Sequence, residues 1–409
     1  MDAANGFSSK TPSRLPPGMV INCARALRDF GDGFIAVLLP VYLLQMGLGE
    51  LEVGVVSTLT LLGSTAMTLA IGFVGRRLDQ RLLLIAAAGL MLATGFAFAA
   101  TDTYPVLLLV ALVGTINPSS GSASIFVPLE HAVLSGVTAD RDRTRMFARY
   151  SLMGALAAAF GALASGSPDL LVDVGLSTGA ALKLMFVAYG VLGIAAAVLY
   201  AQLPRAPREE VRTPPSALGP SRRLVYKMTA LFAVDAFAGG FVVQSLLALW
   251  LFNKFGLSLH EAGLFFFWTG VLSAFSFPVA AWLSRRIGLI NTMVFTHIPS
   301  SLCLIAAAFV PDLTIALALL LLRSALSQMD VPTRSSYVLA VVTPPERPAA
   351  ASFTSVPRSL AAALSPAIAG ALFAAGLDLW PLMLCGVLKI LYDLALLWSF
   401  RHVKPPEEM

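Results

Sequence analysis

Four charged residues stand inside an otherwise apolar stretch, 21–46 (INCARALRDFGDGFIAVLLPVYLLQM): Arg25, Arg28, Asp29 and Asp32. An ionised side chain at the centre of a bilayer helix costs ~2.5–3.5 kcal/mol even on lenient insertion scales, so such groups face protein, water or a solute. Arg25 and Asp29 are four apart, as are Arg28 and Asp32, so each pair can share one helical face. Two readings stand for Asp32: an acid that binds and releases a proton, or the salt-bridge partner of Arg28. Asp29 reads as structural, and with Arg28 as part of a gate.

The second informative stretch is LLLLRSALSQMDVPTRSSYVLAVV, with Arg323, Gln328, Asp330 and Arg334 around Pro332. Arg323 falls about ten residues, or ~15 Å at the helical rise, below the outer end of its segment. Steps of seven and four place Arg323, Asp330 and Arg334 on one face. They form either a polar stripe lining a cavity or an ion-pair ladder between helices. In the first case Arg323 meets an anionic or polar solute, Asp330 titrates, and Arg334 gates. Asp235 stands alone in FAVDAFAGGF; it is a proton site, or it pairs with Arg358 or Arg149 in a gate. Asn117, beside Pro118 and Ser120, Ser122 and Ser124, lines a cavity or permits close helix packing. Gln244 is a further polar cavity candidate. Glu130 and His131 read as surface or gate residues, and Lys389 and Asp393, four apart, as neutralising each other.

These residues need helices in lipid to hold them. Of 409 residues, 57% are apolar and 12% charged, with mean hydropathy +0.80. Soluble domains carry roughly 25% charged residues, so the chain reads as an integral membrane protein. The apolar runs approach the ~20 residues of a spanning helix rather than the ~10 alternating residues of a barrel strand. Cys23, Cys303 and Cys385 lie in apolar surroundings at no metal or disulfide spacing, which predicts buried thiols and no metal site. No cofactor is expected. Residues 1–18 are polar and rich in Pro, Gly and Ser, a tail rather than a cleavable signal.

Twelve apolar segments are predicted: 21–46, 51–73, 82–100, 105–133, 146–166 and 180–203, then 228–254, 260–283, 291–310, 313–342, 351–376 and 379–401. Arginines and lysines accumulate on one side, at Arg76, Arg77 and Arg81, at Arg141, Arg143 and Arg145, along 204–226, and at Arg285, Arg286, Arg347 and Arg401. The opposite side receives Lys183 and Lys254. By the positive-inside rule both termini are cytoplasmic in a cell (inner) membrane. The net charge of +5 therefore needs no nucleic-acid partner. The Pro-rich linker 204–226 separates two domains, 21–203 and 227–402, flanked by tails 1–20 and 403–409. The halves repeat each other: FGDGF (30–34) answers FAGGF (237–241), MGLGELEVG (46–54) answers FGLSLHEAG (255–263), and paired arginines recur at 76/77 and 285/286. Such duplication marks a transporter with its site between two repeats.

The stretch 72–81, GFVGRRLDQR, resembles the signature Gly-x-Leu-Ala-Asp-Arg-x-Gly-Arg-Lys of the major facilitator superfamily, with Arg76 at the family's aspartate position. AWLSRRIG (281–288) is a second, weaker copy. The resemblance implies twelve helices in two pseudo-symmetric six-helix bundles, alternating access, and gating roles for Arg76, Arg77, Arg285 and Arg286. DGFIAVLLPVYL is similar to the first span of bacterial drug:proton antiporters, with Asp32 and Pro40 as its acid and proline. Their span-four arginine has no counterpart here, and their span-five proline motif is absent from Gly154-ALAAAF-Gly161.

The expectation is a monomeric secondary transporter of a small molecule, coupled to protons or another ion, surrounded by lipid and working as an exporter. The alternatives are a uniporter or ion-coupled importer of an organic anion or nutrient, and a non-transporting receptor or lipid-handling protein. No phosphate loop, His-Glu-x-x-His or nucleophile elbow suggests an enzyme.

Overall fold

With no water available in the hydrocarbon core, each backbone N–H and C=O must be satisfied within its own segment, and helices do so. The computed structural model describes residues 15–74, 78–119, 124–137, 143–204 and 218–403. The predicted tail before residue 15, Arg76 and Arg77, Ser120 and Ser122, and most of the linker lie outside the described residues.

The first bundle contains α1 (Pro17–Gln45), α2 (Glu50–Val74), α3 (Gln80–Ala100), α4 (Tyr104–Val113) and α5 (Phe126–Val137). It is completed by α6 (Arg143–Ala164), α7 (Ser167–Asp173) and α8 (Thr178–Tyr200). The second contains α9 (Arg222–Gly240), α10 (Gln244–Phe255), α11 (Leu259–Ile287), α12 (Leu289–Phe309), α13 (Leu313–Ser327), α14 (Asp330–Ala340), α15 (Arg347–Ala374) and α16 (Trp380–Phe400). Ten segments are long and apolar enough to cross a membrane. The charged α1 and the α4–α5 pair complete twelve spans. Three spans are interrupted at depth: the fourth between α4 and α5, the seventh between α9 and α10, and the tenth between α13 and α14. Broken helices inside a transporter line protein or a cavity rather than lipid, because their freed backbone groups need partners.

Caps define several ends. Ser258 and Glu261 form a reciprocal capping box at the start of α11, and Asp312 accepts from the Ile315 N–H at the start of α13. Gly256, at φ 64°, stops α10 in the left-handed conformation that glycine adopts without a Cβ penalty.

The bundles meet through two pairs of long helices, α2 with α15 and α6 with α11. These seams lie in the membrane half away from the linker. Gly54 of α2 faces Pro366 and Gly370 of α15, and Gly263 of α11 faces Ala162 of α6 and Ser165 just beyond its end. Gly54 and Gly263 occupy equivalent positions in the two repeats, so one close backbone approach is used twice. Hydrogen bonds between the bundles have the same placement and include Ala367 N–H to Thr58 Oγ1 at 2.9 Å, Ser245 Oγ–H to the Ala36 carbonyl at 2.7 Å, Ser245 N–H to the Pro118 carbonyl at 3.1 Å, Asn253 to Glu50 at 3.1 Å, and His260 N–H to Asp169 at 3.2 Å. On the linker side, α5 packs mainly on α1 and α3 of its own bundle, and α14 on α11, α12 and α15 of its own. Among the described residues, the close approaches and hydrogen bonds between the bundles thus lie on the far side.

Candidate functional site

In the first bundle, α1 carries Arg28, 1% exposed, into the centre of its helices. Its Nη2 is 2.7 Å from Glu130 Oε2 on α5, and its Nε–H donates to the Tyr200 hydroxyl at 3.0 Å. Tyr200 donates in turn to Glu130 Oε1 at 2.5 Å, and Tyr150 to Glu130 Oε2 at 2.5 Å. The guanidinium also lies 4.0 Å over the Phe126 ring. One turn away, Arg25 pairs with Asp29 at 3.1 Å and stacks over Tyr150 at 4.0 Å. A buried ion pair is tolerated when its remaining donors and acceptors are also satisfied, as they are around Glu130.

The expected pairing of Arg28 with Asp32 is therefore not made. Although Asp32 lies one turn along the same face of α1, Arg28 turns to the spans carrying Glu130 and Tyr200, which supply a carboxylate and a hydroxyl together. Asp32 is 4% exposed, and among the described residues no cation lies within salt-bridge distance of it. Its contact is the Tyr189 hydroxyl, 3.3 Å from Oδ1. The same hydroxyl lies 3.0 Å from the Thr115 carbonyl, a group left over where α4 ends. The Thr115 Oγ1 lies 3.0 Å from it as well, so the single tyrosine proton is shared among Asp32 and the two Thr115 oxygens, and a protonated Asp32 can donate to the tyrosine oxygen in return.

The second bundle repeats this plan with inverted charge. Aligning Phe30 with Phe237 puts Asp235 at the register of Arg28. Asp235, 2% exposed, receives Lys389 at 2.7 Å and Arg334 at 3.3 Å. Arg334 also binds Asp330 at 2.5 Å. His297 Nδ1 is 3.1 Å from Asp393 and its Nε2 is 3.3 Å from Lys389 Nζ. A neutral ring with its proton on Nδ1 satisfies both contacts. At the register of Asp32 stands Gly239, where a Cβ would lie 3.8 Å from Lys389 Nζ.

Three further sequence-based pairings are corrected. Asp235 pairs with Arg334 and Lys389; Arg149 is exposed at the surface of α6, and Arg358 makes no ion pair with Asp235. Lys389 and Asp393 do not pair with each other, since Asp235 and His297 offer them closer partners across the bundle. Arg323 does not share a ladder with Asp330 and Arg334, because the break at Gln328 and Met329 interrupts the face. Its carbonyl accepts from Ser300 at 3.3 Å.

Gln328 caps α13 and Gln244 opens α10, both at breaks. Buried Asn117 accepts from the Ser119 N–H at 2.9 Å. Arg285 and Arg286 are exposed, the former bonded to the Ala281 carbonyl and the latter stacked 4.4 Å over Trp282. The three cysteines are free thiols, and no metal-ligating cluster occurs among the described residues. Sequence reasoning missed Glu130, Tyr200, Tyr189 and His297 as core partners. The signal available was the register itself: opposite charges at Arg28 and Asp235 require opposite counter-charges elsewhere in each half.

The family model described as Major Facilitator Superfamily matches residues 21–322 and 228–409. An uncharacterised membrane protein of Saccharomyces cerevisiae is 23% identical over 414 residues, covering 92% of each chain. A bacterial homolog of the human lysosomal transporter Spinster, solved in an inward-facing and unoccupied conformation, superposes with a TM-score of 0.74. It is 15% identical, over 96% of this chain and 98% of that one. The nucleoside transporter NupG gives a TM-score of 0.73 at 12% identity, over 95% and 100%.

Proposed function

Because the chain belongs to the major facilitator superfamily, whose model matches it across both halves, we propose that it is a proton-coupled secondary transporter of a small organic solute, with Asp32 as the protonation site. One observation carries this reading. Of the buried carboxylates within the spans, Asp29, Glu130, Asp235 and Asp330 each pair with an arginine or lysine and Asp393 meets the His297 ring. Asp32 meets only a hydroxyl and has no basic side chain at salt-bridge distance among the described residues; buried Glu346 lies outside the spans, in the turn before α15. A carboxylate inside a bilayer protein needs a counter-charge or a proton. Its neighbour Tyr189 links the presence of that proton to the broken fourth span. The basic linker side is read as cytoplasmic, so the glycine seams close the outer side. The likeness of α1 to drug:proton antiporters supports export.

A second reading, ion-coupled import of an organic anion, draws support from the charge inventory. In the interior of the first bundle two cations, Arg25 and Arg28, stand against three carboxylates, Asp29, Asp32 and Glu130. In the second, four cations, Arg323, Arg334, Arg358 and Lys389, stand against Asp235, Asp330 and Asp393.

The test uses purified protein in proteoliposomes and a solute selected by a thermal-stabilisation panel. A pH gradient is expected to drive accumulation in the native protein, whereas Asp32→Asn should only equilibrate the solute. Accumulation that survives Asp32→Asn, or native flux indifferent to the gradient, overturns the assignment. Stabilisation without any flux indicates the non-transporting receptor instead. Inverted vesicles read the direction.

A further inference from the structure

The excess positive charge of the second bundle has an address. A recess of about 450 Å³ lies between α14 and α15, backed by Phe232 of α9. It is on the linker side of the second bundle. Arg334 and Arg358 both line it. Arg334 is neutralised by Asp330 and Asp235. Arg358 makes no ion pair among the described residues, and its Nε is buried without a hydrogen-bond partner. Its strongest electrostatic neighbour is another guanidinium, Arg334. A buried, unbonded guanidinium donor beside a second guanidinium is costly unless an anion completes it. Guanidinium forks match carboxylate and phosphate oxygens in pairs.

The remaining lining sets the shape of the ligand. Ser335 and Ser355 add hydroxyls to the lining, which now donate to the Val331 and Ser352 carbonyls and can turn to a ligand, while Val331, Val338 and Phe232 offer an apolar wall. Such a volume suits a small organic ligand. We infer that this recess is a binding site for an amphipathic organic anion, with a phosphate or carboxylate head on Arg358 and an apolar body against Phe232 and Val331. The inference rests on the transport reading and gives that reading a substrate class. The proton site on Asp32 lies in the other bundle, so proton and anion occupy separate places.

The experiment measures thermal stabilisation of the purified full chain at one fixed pH, with no gradient, so its outcome is independent of proton coupling. The probes are hexyl phosphate and hexanoate, with hexyltrimethylammonium as the cationic counterpart. Nanodiscs with and without phosphatidic acid form a second arm. Stabilisation by the anions and not by the cation is expected. Arg358→Gln should weaken anion binding by about tenfold or more, the scale of a hydrogen bond to a charged group. Arg358→Lys, which keeps the charge and loses the fork, should fall between, and Ser355→Ala provides a milder variant if Arg358→Gln does not fold. A response confined to phosphatidic acid nanodiscs, and lost in Arg358→Gln or Arg358→Lys, assigns the head group to a membrane lipid rather than a soluble anion. Equal stabilisation by anion and cation, or anion binding unchanged in Arg358→Gln and Ser355→Ala, overturns the inference.

Discussion

The far-side seal rests on glycine, and one methyl group should loosen it. A Cβ built on Gly54 would lie 2.5 Å from the Pro366 carbonyl oxygen and 2.9 Å from the Gly370 Cα. Ordinary contacts begin near 3.4 Å, so α2 and α15 must separate by about 1 Å. Both obstacles are backbone, and no side chain can swing aside. Overpacking of this kind costs ~1–3 kcal/mol. In the proposed alternating access the two helices part when the far side opens, so the cost would fall on the sealed state alone. Gly54→Ala should therefore shift the sealed-to-open ratio by roughly 5–150-fold. Ser57, one turn deeper on α2 and fully buried, can report the shift. In a background with Cys23, Cys303 and Cys385 replaced, Ser57→Cys should react slowly with an impermeant maleimide added from the far side. Adding Gly54→Ala should speed labelling by that factor. Gly89→Ala is the control, since a Cβ there meets nothing within 4 Å. Unchanged labelling in a folded Gly54→Ala protein would refute the argument that this contact holds the seal.

Two further outcomes follow from the buried charges. Glu130→Gln leaves Arg28 buried without its anion and should cost ~3–5 kcal/mol, read as a large drop in thermal unfolding temperature; Glu130→Asp should recover part of it. Glu346, in the turn between α14 and α15, accepts from Thr343 at 2.5 Å, from Ser221 at 2.7 Å and from the Gly219 N–H. These bonds hold its carboxyl down at about 2, below the ordinary glutamate value of ~4.3. Its stabilisation is thus complete above the unfolded value and is lost as pH falls through the folded one. Between those limits, protease cleavage at the linker's end should increase as pH drops, and Glu346→Gln should show the same cleavage at neutral pH.

Much of this architecture was legible from residues alone. The apolar runs located the twelve spans, and the repeats FGDGF and FAGGF identified two bundles of one design. The breaks in the spans were less visible, because Gly114, Pro118 and Gln328 are compatible with continuous helices. Charge partners were the least legible. Spacing of four on a helix says which residues can meet along one face, and it correctly linked Arg25 to Asp29 and Asp330 to Arg334. It cannot rank those neighbours against side chains from other spans. Arg28 left Asp32 for Glu130, and Lys389 left Asp393 for Asp235, because cross-bundle partners came with tyrosine or histidine groups that complete the hydrogen bonding. His297 and Tyr189, each alone in an apolar helix, carried no local sign of such a role.

The inversion of charge between the bundles has a mechanical consequence. Each bundle settles its ion pairs internally, Arg28 with Glu130 and Asp235 with Lys389, and among the described residues no salt bridge joins one bundle to the other. Rocking then breaks no ion pair and strips no paired charge of its partner. Movement of one bundle against the other would leave every described ion pair intact, while the interiors, one with an excess of carboxylates and one with an excess of cations, would attract each other across the glycine seam.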